Sequence, residues 1–229
     1  MDPPLAVLFD VDGTLISTGG AGARSWRHAF QELHGIPADI GEFTDAGMTD
    51  PTVARLTFER AVGHSPSPRE LATVIAAYLD RLPWEVEHSP GYRVLDGAEE
   101  VLRRLSRDEG MLLGITSGAV EAAAHIKLSR AGLNRYFPFG GYGSDSPDRV
   151  ELTKRAMERG AALVGGELDP ARVLVVGDTP KDLDAAHGAG CVAVGVATGH
   201  YSGDQLREAG ADEVLHSLRD PFPGASPAG

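Results

Sequence analysis

The feature that most constrains the fold of this chain is a short apolar segment near its start that ends in two aspartates. Residues 5–9 read Leu-Ala-Val-Leu-Phe, and residues 10–14 read Asp-Val-Asp-Gly-Thr. An apolar run bounded by a turn signal predicts a buried strand. Because ligands bind beyond the carboxyl ends of parallel strands, we expect Asp10 and Asp12 to lie in a site, with Gly13 turning the backbone. The same residues also fit an ordinary Asp-Gly turn.

The composition excludes several classes of protein. The 229 residues, 42% of them hydrophobic, allow one large domain or one domain with an insertion. The net charge of -12 argues against nucleic acid or an anionic membrane as the main partner, because both require Lys and Arg. The single cysteine, Cys191, cannot form an internal disulfide and is expected to be a buried filler. Without a leader pattern or a membrane-length apolar run, we expect a cytoplasmic protein.

Hydrophobic periodicity divides the chain into two parts. Residues 16–91 show helical spacing only, with one helix starting at Asp50 as its N-cap and another at a capping box that begins with Ser67. From Tyr92 onward, short apolar runs alternate with helical patterns. This alternation predicts a doubly wound parallel sheet, a Rossmann-like α/β fold.

These patterns predict a discontinuous domain organisation. We expect residues 1–15 and 92–220 to form the α/β core, and residues 16–91 to form a helical cap inserted into it. Residues 221–229, rich in Pro, Gly and Ala, are predicted to be a disordered tail. A cap inserted directly after the first strand would cover the site, where it can exclude water and select substrates.

Three of the predicted strands end in polar residues. Thr116 and Ser117 follow one apolar run, and Asp178 follows another, with Asp182 in the next helical turn. If the strands are parallel neighbours, these side chains meet Asp10 in one crevice. Taken singly, each of these residues also fits a helix cap or an acidic first turn.

Several carboxylates in one crevice repel one another unless a cation lies among them, and oxygen ligands favour Mg²⁺. The scattered histidines and single cysteine offer no zinc set. Magnesium suits phosphoryl transfer, in which Asp10 would attack phosphorus and Asp12 would protonate the leaving alcohol and later activate water. Thr116, backbone amides near Gly13 and Ser117, and a basic side chain would bind the phosphate oxygens.

The order of these motifs resembles that of the haloacid dehalogenase-like (HAD) superfamily. Residues 10–14 are similar to its first motif, Thr116 after an apolar run to its second, and the Gly-Asp-Thr-Pro-Lys-Asp string at 177–182 to its fourth. The resemblance spans most of the chain, and it implies the helical cap that the periodicity also predicts.

The resemblance implies a role for each acidic residue. Asp10 would be the nucleophile and Asp12 the general acid and base. Asp10, the backbone carbonyl of Asp12 and Asp178 would hold Mg²⁺, and Asp182 would support the ion through water.

The third motif departs from the usual pattern, in which a lysine stands in a Lys-Pro segment. Residues 144–149 read Ser-Asp-Ser-Pro-Asp-Arg here. Arg149 is the preferred substitute, because a guanidinium can bridge phosphate and carboxylate. Lys154 is the alternative. The second motif also differs, since Thr-Ser-Gly stands where relatives often carry Thr-Asn or Thr-Gly-Asn, which leaves the role of Ser117 open.

Other residues narrow the function within the superfamily. Dehalogenating members lack the second aspartate, so Asp12 favours a phosphate ester over a halide. The first lysine is Lys127, outside residues 16–91, which argues against a Schiff base formed by the cap. The Gly-Met-Thr-Asp string at 47–50 resembles a loop of phosphoglycolate phosphatase-like members that faces the core site. The candidate substrate contacts in this loop are Met48, Thr49 and Asp50.

We therefore predict a Mg²⁺-dependent phosphatase acting on a small phosphomonoester, with phosphoglycolate-like substrates favoured. The alternative on the same fold is a sugar phosphomutase of the β-phosphoglucomutase type. Alternatives from another class are a phosphoacceptor signalling module and a cap-gated binding protein without turnover. The sequence carries no signal for an oligomeric state.

Overall fold

The computed structural model describes residues 6–108 and 110–223. Within these residues, six strands form a parallel sheet in the order β5-β4-β1-β6-β7-β8, and two short strands form an antiparallel pair. The strands are β1 (Ala6–Phe9), β2 (Ile16–Ser17), β3 (Arg93–Val94), β4 (Leu112–Ser117), β5 (Phe139–Tyr142), β6 (Val173–Gly177), β7 (Val192–Val196) and β8 (Glu213–Leu215). The predicted parallel α/β fold is confirmed.

Helices alternate with the sheet strands and also fill the stretch between β2 and β3. The α-helices are α1 (Ala21–His34), α2 (Asp50–Val62), α3 (Pro68–His88), α4 (Ala98–Leu105), α5 (Glu121–Ser129), α6 (Arg149–Val164), α7 (Pro180–Gly188) and α8 (Gly203–Glu208). None of the helices in the described ranges is long and apolar enough to cross a membrane.

The central strand β1 is buried on both faces, which explains its continuous apolar run. Successive side chains of a strand point to opposite faces. Val7 and Phe9 pack in one cluster, which includes residues of α4 and α5. Ala6 and Leu8 pack in a second cluster, which includes residues of α6, α7 and α8. The sheet is therefore the middle layer of three, and the ends of its strands open at one edge.

Three helices form a packed unit between β2 and β3, which we call the helical segment (residues 16–91). Trp26 of α1 stacks on Tyr78 of α3 with ring centroids 4.0 Å apart, and Phe30 lies 6.4 Å from Phe58 of α2. At its base, β2 pairs with β3. The prediction that this segment contains no strand is therefore wrong at Ile16–Ser17. A strand of two residues is too short to show an alternating pattern in the sequence.

Several predicted boundaries differ from the structure by one residue or more. Asp50 is the first residue of α2 and Thr49 is its N-cap, whereas the capping box of Ser67 is confirmed. Strand β8 was not expected from the pattern. Phe222, in the segment predicted to be a disordered tail, is 4% exposed with its ring centroid 6.0 Å from that of Phe9. The rest of that segment, residues 224–229, lies outside the described residues.

We expect Leu8→Ala to lower the free energy of unfolding by about 2–5 kcal/mol, because it removes a fully buried side chain from the central strand. Leu163→Ala is the matched control. Leu163 is 56% exposed at the end of α6, and its loss should change stability by less than about 0.5 kcal/mol. Urea unfolding of both variants measures the difference. Equal losses would contradict the three-layer packing.

Candidate active site

A cavity of about 410 Å³ opens where β1, β4 and β6 end. Phe9 is in register with Ile115 of β4 and Val176 of β6, so the residues that follow these three strands reach the same level. The cavity has the size of a small-molecule site. Its lining includes residues of the core and of the helical segment: Asp10, Asp12, Gly13, Ser117, Lys127, Arg149 and Asp178 from the former, and Gly47, Met48 and Asp50 from the latter.

Three buried carboxylates meet at this end of the sheet, and two of them, Asp10 and Asp178, line the cavity. One oxygen each from Asp10, Asp178 and Asp182 lies within 4.8 Å of the others. Burial raises the pKa of Asp10 well above its usual range, and the neighbouring carboxylates Asp182 and Asp178 add to this, against the opposing effect of Arg149. Burial, with the charge of Asp182, raises the pKa of Asp178 to about 7. The cluster therefore has a strong affinity for positive charge.

The backbone around Asp178 is shaped to accept this carboxylate. A Cβ at Gly13 would come 2.3 Å from Asp178 Oδ2, and a Cβ at Gly199 would come 1.7 Å from the same atom. Gly13 also has a φ of +85°, which side chains other than glycine rarely tolerate. Thr14 Oγ1 donates to Asp178 Oδ1 at 3.3 Å. An all-oxygen set of buried carboxylates fits a hard divalent cation such as Mg²⁺.

The start of α7 fixes the third carboxylate. Asp182 Oδ2 accepts hydrogen bonds from the amide of Thr179 at 3.0 Å and from its hydroxyl at 2.7 Å, the capping box of this helix. The same residue therefore closes the helix end and presents its other oxygen to the cluster. Asp182 is thus an acidic residue in the first turn of a helix, and it also lies beside Asp10 and Asp178.

Arg149 is the cation that the structure places among these carboxylates. It is the first residue of α6; its Nη2 forms an ion pair with Asp182 and lies 3.5 Å from Asp10 Oδ1. Its Nε is buried without a hydrogen-bond partner in the described parts of the chain. Lys154, the alternative predicted cation, is exposed outside the cavity and pairs with Glu151 at 2.9 Å. It is therefore not brought to the site.

At the end of β4, the two hydroxyl residues expected at the site lie in different surroundings. Ser117 lines the cavity, whereas Thr116 does not and lies with its Oγ1 3.1 Å from Thr153 Oγ1 of α6. Successive side chains of a strand point to opposite faces, so the Thr116 and Ser117 hydroxyls point to opposite sides of β4, and only Ser117 is in the cavity lining. The apolar run in the sequence does not define the end of the strand closely enough to decide which one.

The loop before α2 docks the helical segment onto the core. Met48 and Asp50 line the cavity, whereas Thr49 does not, because its hydroxyl is paired within the first turn of α2. The Asp50 amide donates to the carbonyl of Gly118 at 2.7 Å, and Asp50 Oδ2 accepts from the amide of Val120 at 2.9 Å. Two of the three loop residues expected at the site are thus present there.

Asp12 stands apart from the carboxylate cluster. Its carboxylate forms an ion pair with Lys127, whose Nζ lies 2.6 Å from Asp12 Oδ2. Lys127 is 6% exposed and lines the cavity, yet the sequence reasoning gave it no role at the site. A signal was present, because Lys127 follows Ala123 and Ala124 by four and three residues and so lies on the buried face of α5.

Comparisons with known proteins identify the family of this chain. The family model described as haloacid dehalogenase-like hydrolase matches residues 4–190. This chain therefore belongs to the haloacid dehalogenase-like hydrolase family.

Individual relatives carry different names. The chain is 29% identical to a phosphoglycolate phosphatase from Mesorhizobium japonicum, over 88% of this chain and 86% of that protein. It is 27% identical to the tyrosine-protein kinase PtkA of Mycobacterium tuberculosis, over 94% of this chain and 70% of that protein. A solved structure from Bacteroides vulgatus, provisionally named a β-phosphoglucomutase, has a TM-score of 0.68 and 26% identity over 96% and 86% of the two chains.

We expect the metal-free protein to lose stability as the pH rises from about 4 toward 7. The pKa of Asp178 is about 7 in the folded state against an ordinary 3.8, so the folded state binds a proton that the unfolded state has already released. Asp178→Asn removes the charge of this carboxylate and with it the repulsion from Asp182. The variant should therefore be more stable than the original protein at pH 8 in EDTA, by on the order of 1–3 kcal/mol.

Asp184→Asn is the matched control, because Asp184 is an exposed residue of α7, the helix that follows Asp178. Thermal unfolding of the three proteins in EDTA at pH 5 and pH 8 gives the comparison. If Asp178→Asn gains no more stability at pH 8 than Asp184→Asn, the repulsion within the cluster is contradicted.

Proposed function

We propose that this chain is a Mg²⁺-dependent phosphatase that hydrolyses a small phosphomonoester through an aspartyl phosphate on Asp10. The observation that supports it most is that Asp10 belongs to an acidic cluster that attracts a cation and also lies 3.5 Å from the guanidinium of Arg149. Family membership and the phosphoglycolate phosphatase relative support a phosphate ester as the substrate.

The proposed metal site uses the carboxylates of Asp10 and Asp178 and the backbone carbonyl of Asp12, with Asp182 acting through water. A bound Mg²⁺ would neutralise the carboxylates and the charge on the transferring phosphoryl oxygens. Arg149 would donate to one of these oxygens, because its guanidinium already spans Asp10 and Asp182. Ser117 and the backbone amides around it would bind another.

The reaction then divides into two displacements. In the first, an oxygen of Asp10 attacks phosphorus, the bond from phosphorus to the leaving oxygen breaks, and Asp12 gives that oxygen a proton. In the second, Asp12 takes a proton from water, whose oxygen attacks the same phosphorus and releases phosphate from Asp10. One residue serves both steps, because Asp12 ends the first step in the basic form that the second step requires.

The helical segment is proposed to be a cap that restricts the substrate. Ala46, Gly47, Met48 and Asp50 face the carboxylates across a cavity of about 410 Å³. This space favours a compact leaving group such as glycolate, in line with the phosphoglycolate phosphatase relative. The core and cap also fit a sugar phosphomutase, which is supported by the likeness to the structure named a β-phosphoglucomutase and would return the phosphoryl group to a sugar.

Asp10→Asn should lower Mg²⁺-dependent phosphate release from 2-phosphoglycolate by a factor on the order of 10³ or more, because an amide is a very poor nucleophile. Asp184→Asn, on an exposed position of α7, should retain full activity. A colorimetric phosphate assay with Mg²⁺ and with EDTA measures both. Undiminished activity of Asp10→Asn would contradict the proposed nucleophile.

Further measurements identify the acceptor of the phosphoryl group. Phosphate release that continues at many turnovers supports hydrolysis. Transfer from a sugar bisphosphate to a hexose phosphate without net phosphate release would favour the phosphomutase, and labelling of a tyrosine peptide would favour an activity like the one in the name of PtkA. Stoichiometric labelling of the chain without turnover would favour a phosphoacceptor module.

Arg149→Met and Lys154→Met form a matched pair, since each replaces a cation of the same helix by an uncharged side chain of similar length. We expect Arg149→Met to lower kcat/KM by about 10²-fold or more, because it removes a donor to the phosphoryl oxygens and uncovers Asp182. Lys154→Met should change kcat/KM less than about twofold, since Lys154 is outside the cavity. Equal effects would contradict the placing of the third-motif cation.

A further inference from the structure

The buried lysine of α5 is a charged group of the cavity that the proposed reaction does not use. The side chain of Lys127 is 8% exposed, and its Nζ lies 2.6 Å from Asp12 Oδ2. The side chain of Asp12, by contrast, is 42% exposed. The buried ammonium of Lys127, which is positioned by the packing of α5, therefore restrains the partly exposed carboxylate of Asp12.

This ion pair gives the two carboxylate oxygens of Asp12 different surroundings. Oδ2 accepts the hydrogen bond from Lys127, whereas Oδ1 has no hydrogen-bond partner among residues 6–108 and 110–223. Asp12 itself lines the cavity. Oδ1 is thus the atom that remains available to a leaving group, and the ammonium on Oδ2 limits the rotations that would turn Oδ1 away.

The helical segment also contributes to the surroundings of this lysine. Burial acts to lower the pKa of Lys127, but the neighbouring Asp12, Tyr78 and Asp50 outweigh it and hold that pKa well above its usual range. Tyr78 and Asp50 belong to α3 and α2. The Tyr78 hydroxyl is fully buried and has no hydrogen-bond partner in the described ranges. Groups of both the core and the helical segment therefore contribute to the surroundings of the ammonium.

We propose that Lys127 is a positioning residue that orients Asp12 Oδ1 toward the leaving oxygen. This inference rests on the proposed function. In the first displacement the bond from phosphorus to the leaving oxygen breaks, and that oxygen takes a proton from Asp12 Oδ1, while Lys127 keeps its own protons. The second displacement returns a proton from water to Asp12 Oδ1, so the acid is restored for the next turnover. Lys127 does not touch the phosphoryl group. Its contribution is to hold the acid in a geometry from which the proton can be transferred.

This role predicts a dependence on the leaving group. An alkoxide requires a proton as it departs, whereas 4-nitrophenolate leaves without one. Lys127→Met should therefore lower kcat/KM for 2-phosphoglycolate by about 10²-fold and for 4-nitrophenyl phosphate by less than about fivefold. Lys127→Arg should restore part of the loss. Lys154→Met, the same change at an exposed position, should leave both substrates unaffected.

A double-mutant cycle tests whether Lys127 acts through Asp12. If Lys127 acts only through Asp12, adding Lys127→Met to Asp12→Asn should cause no further loss of kcat/KM for 2-phosphoglycolate. Circular dichroism and thermal unfolding establish that each variant is folded, and Lys127→Gln replaces Lys127→Met if the latter is not.

The outcomes separate this inference from the proposed function. Equal losses for the two substrates, no loss for either, or additive losses in the cycle would each overturn the positioning role. If the unmodified protein releases no phosphate from either ester, the proposed function itself fails.

Discussion

Mutual repulsion among three buried carboxylates is the constraint on which the site depends. Asp10, Asp178 and Asp182 meet because the fold brings the ends of β1 and β6 and the start of α7 to one edge of the sheet. Ionised carboxylates at this separation destabilise the folded chain unless positive charge lies among them. Arg149 supplies one charge, and the remaining deficit is what a divalent cation would fill. This chain thus contains an arrangement of carboxylates that is unfavourable without added positive charge.

The core and the helical segment complete the cavity together. Arg149 Nη1 donates to the carbonyl of Gly47 at 3.0 Å while its Nη2 pairs with Asp182. Lys181 Nζ donates to the carbonyl of Ala46 at 3.1 Å. With the two hydrogen bonds of Asp50 to the loop after β4, these contacts place backbone of the helical segment directly over the carboxylates. Arg149, which supplies one positive charge to the cluster, therefore also binds the helical segment to the core.

The parts of this molecule that could be predicted from the sequence are those that depend on local patterns. The apolar run of β1 and its two aspartates identified the central strand, and the capping box of Ser67 identified the start of α3. Parallel neighbours were inferred from alternation, and this sufficed to bring Asp178 toward Asp10. Thr116 and Ser117 were both expected at the site, and the sequence does not distinguish them, because which of them lines the cavity depends on the direction in which each side chain of β4 points. Lys127 was missed because its partner lies 115 positions away in the sequence.

Trapping of the phosphorylated chain is the most direct test of the proposed mechanism. Asp12→Asn should still form the aspartyl phosphate from 4-nitrophenyl phosphate but should hydrolyse it slowly, because no base remains to activate water. Rapid acid quench after mixing with Mg²⁺ and the ester, followed by peptide mass spectrometry, locates the modification. We expect close to one phosphoryl group per chain on Asp10, lost in EDTA and in the Asp10→Asn, Asp12→Asn double variant. Turnover by the unmodified protein with no phosphoryl group on Asp10, or with one on another residue, would contradict the account.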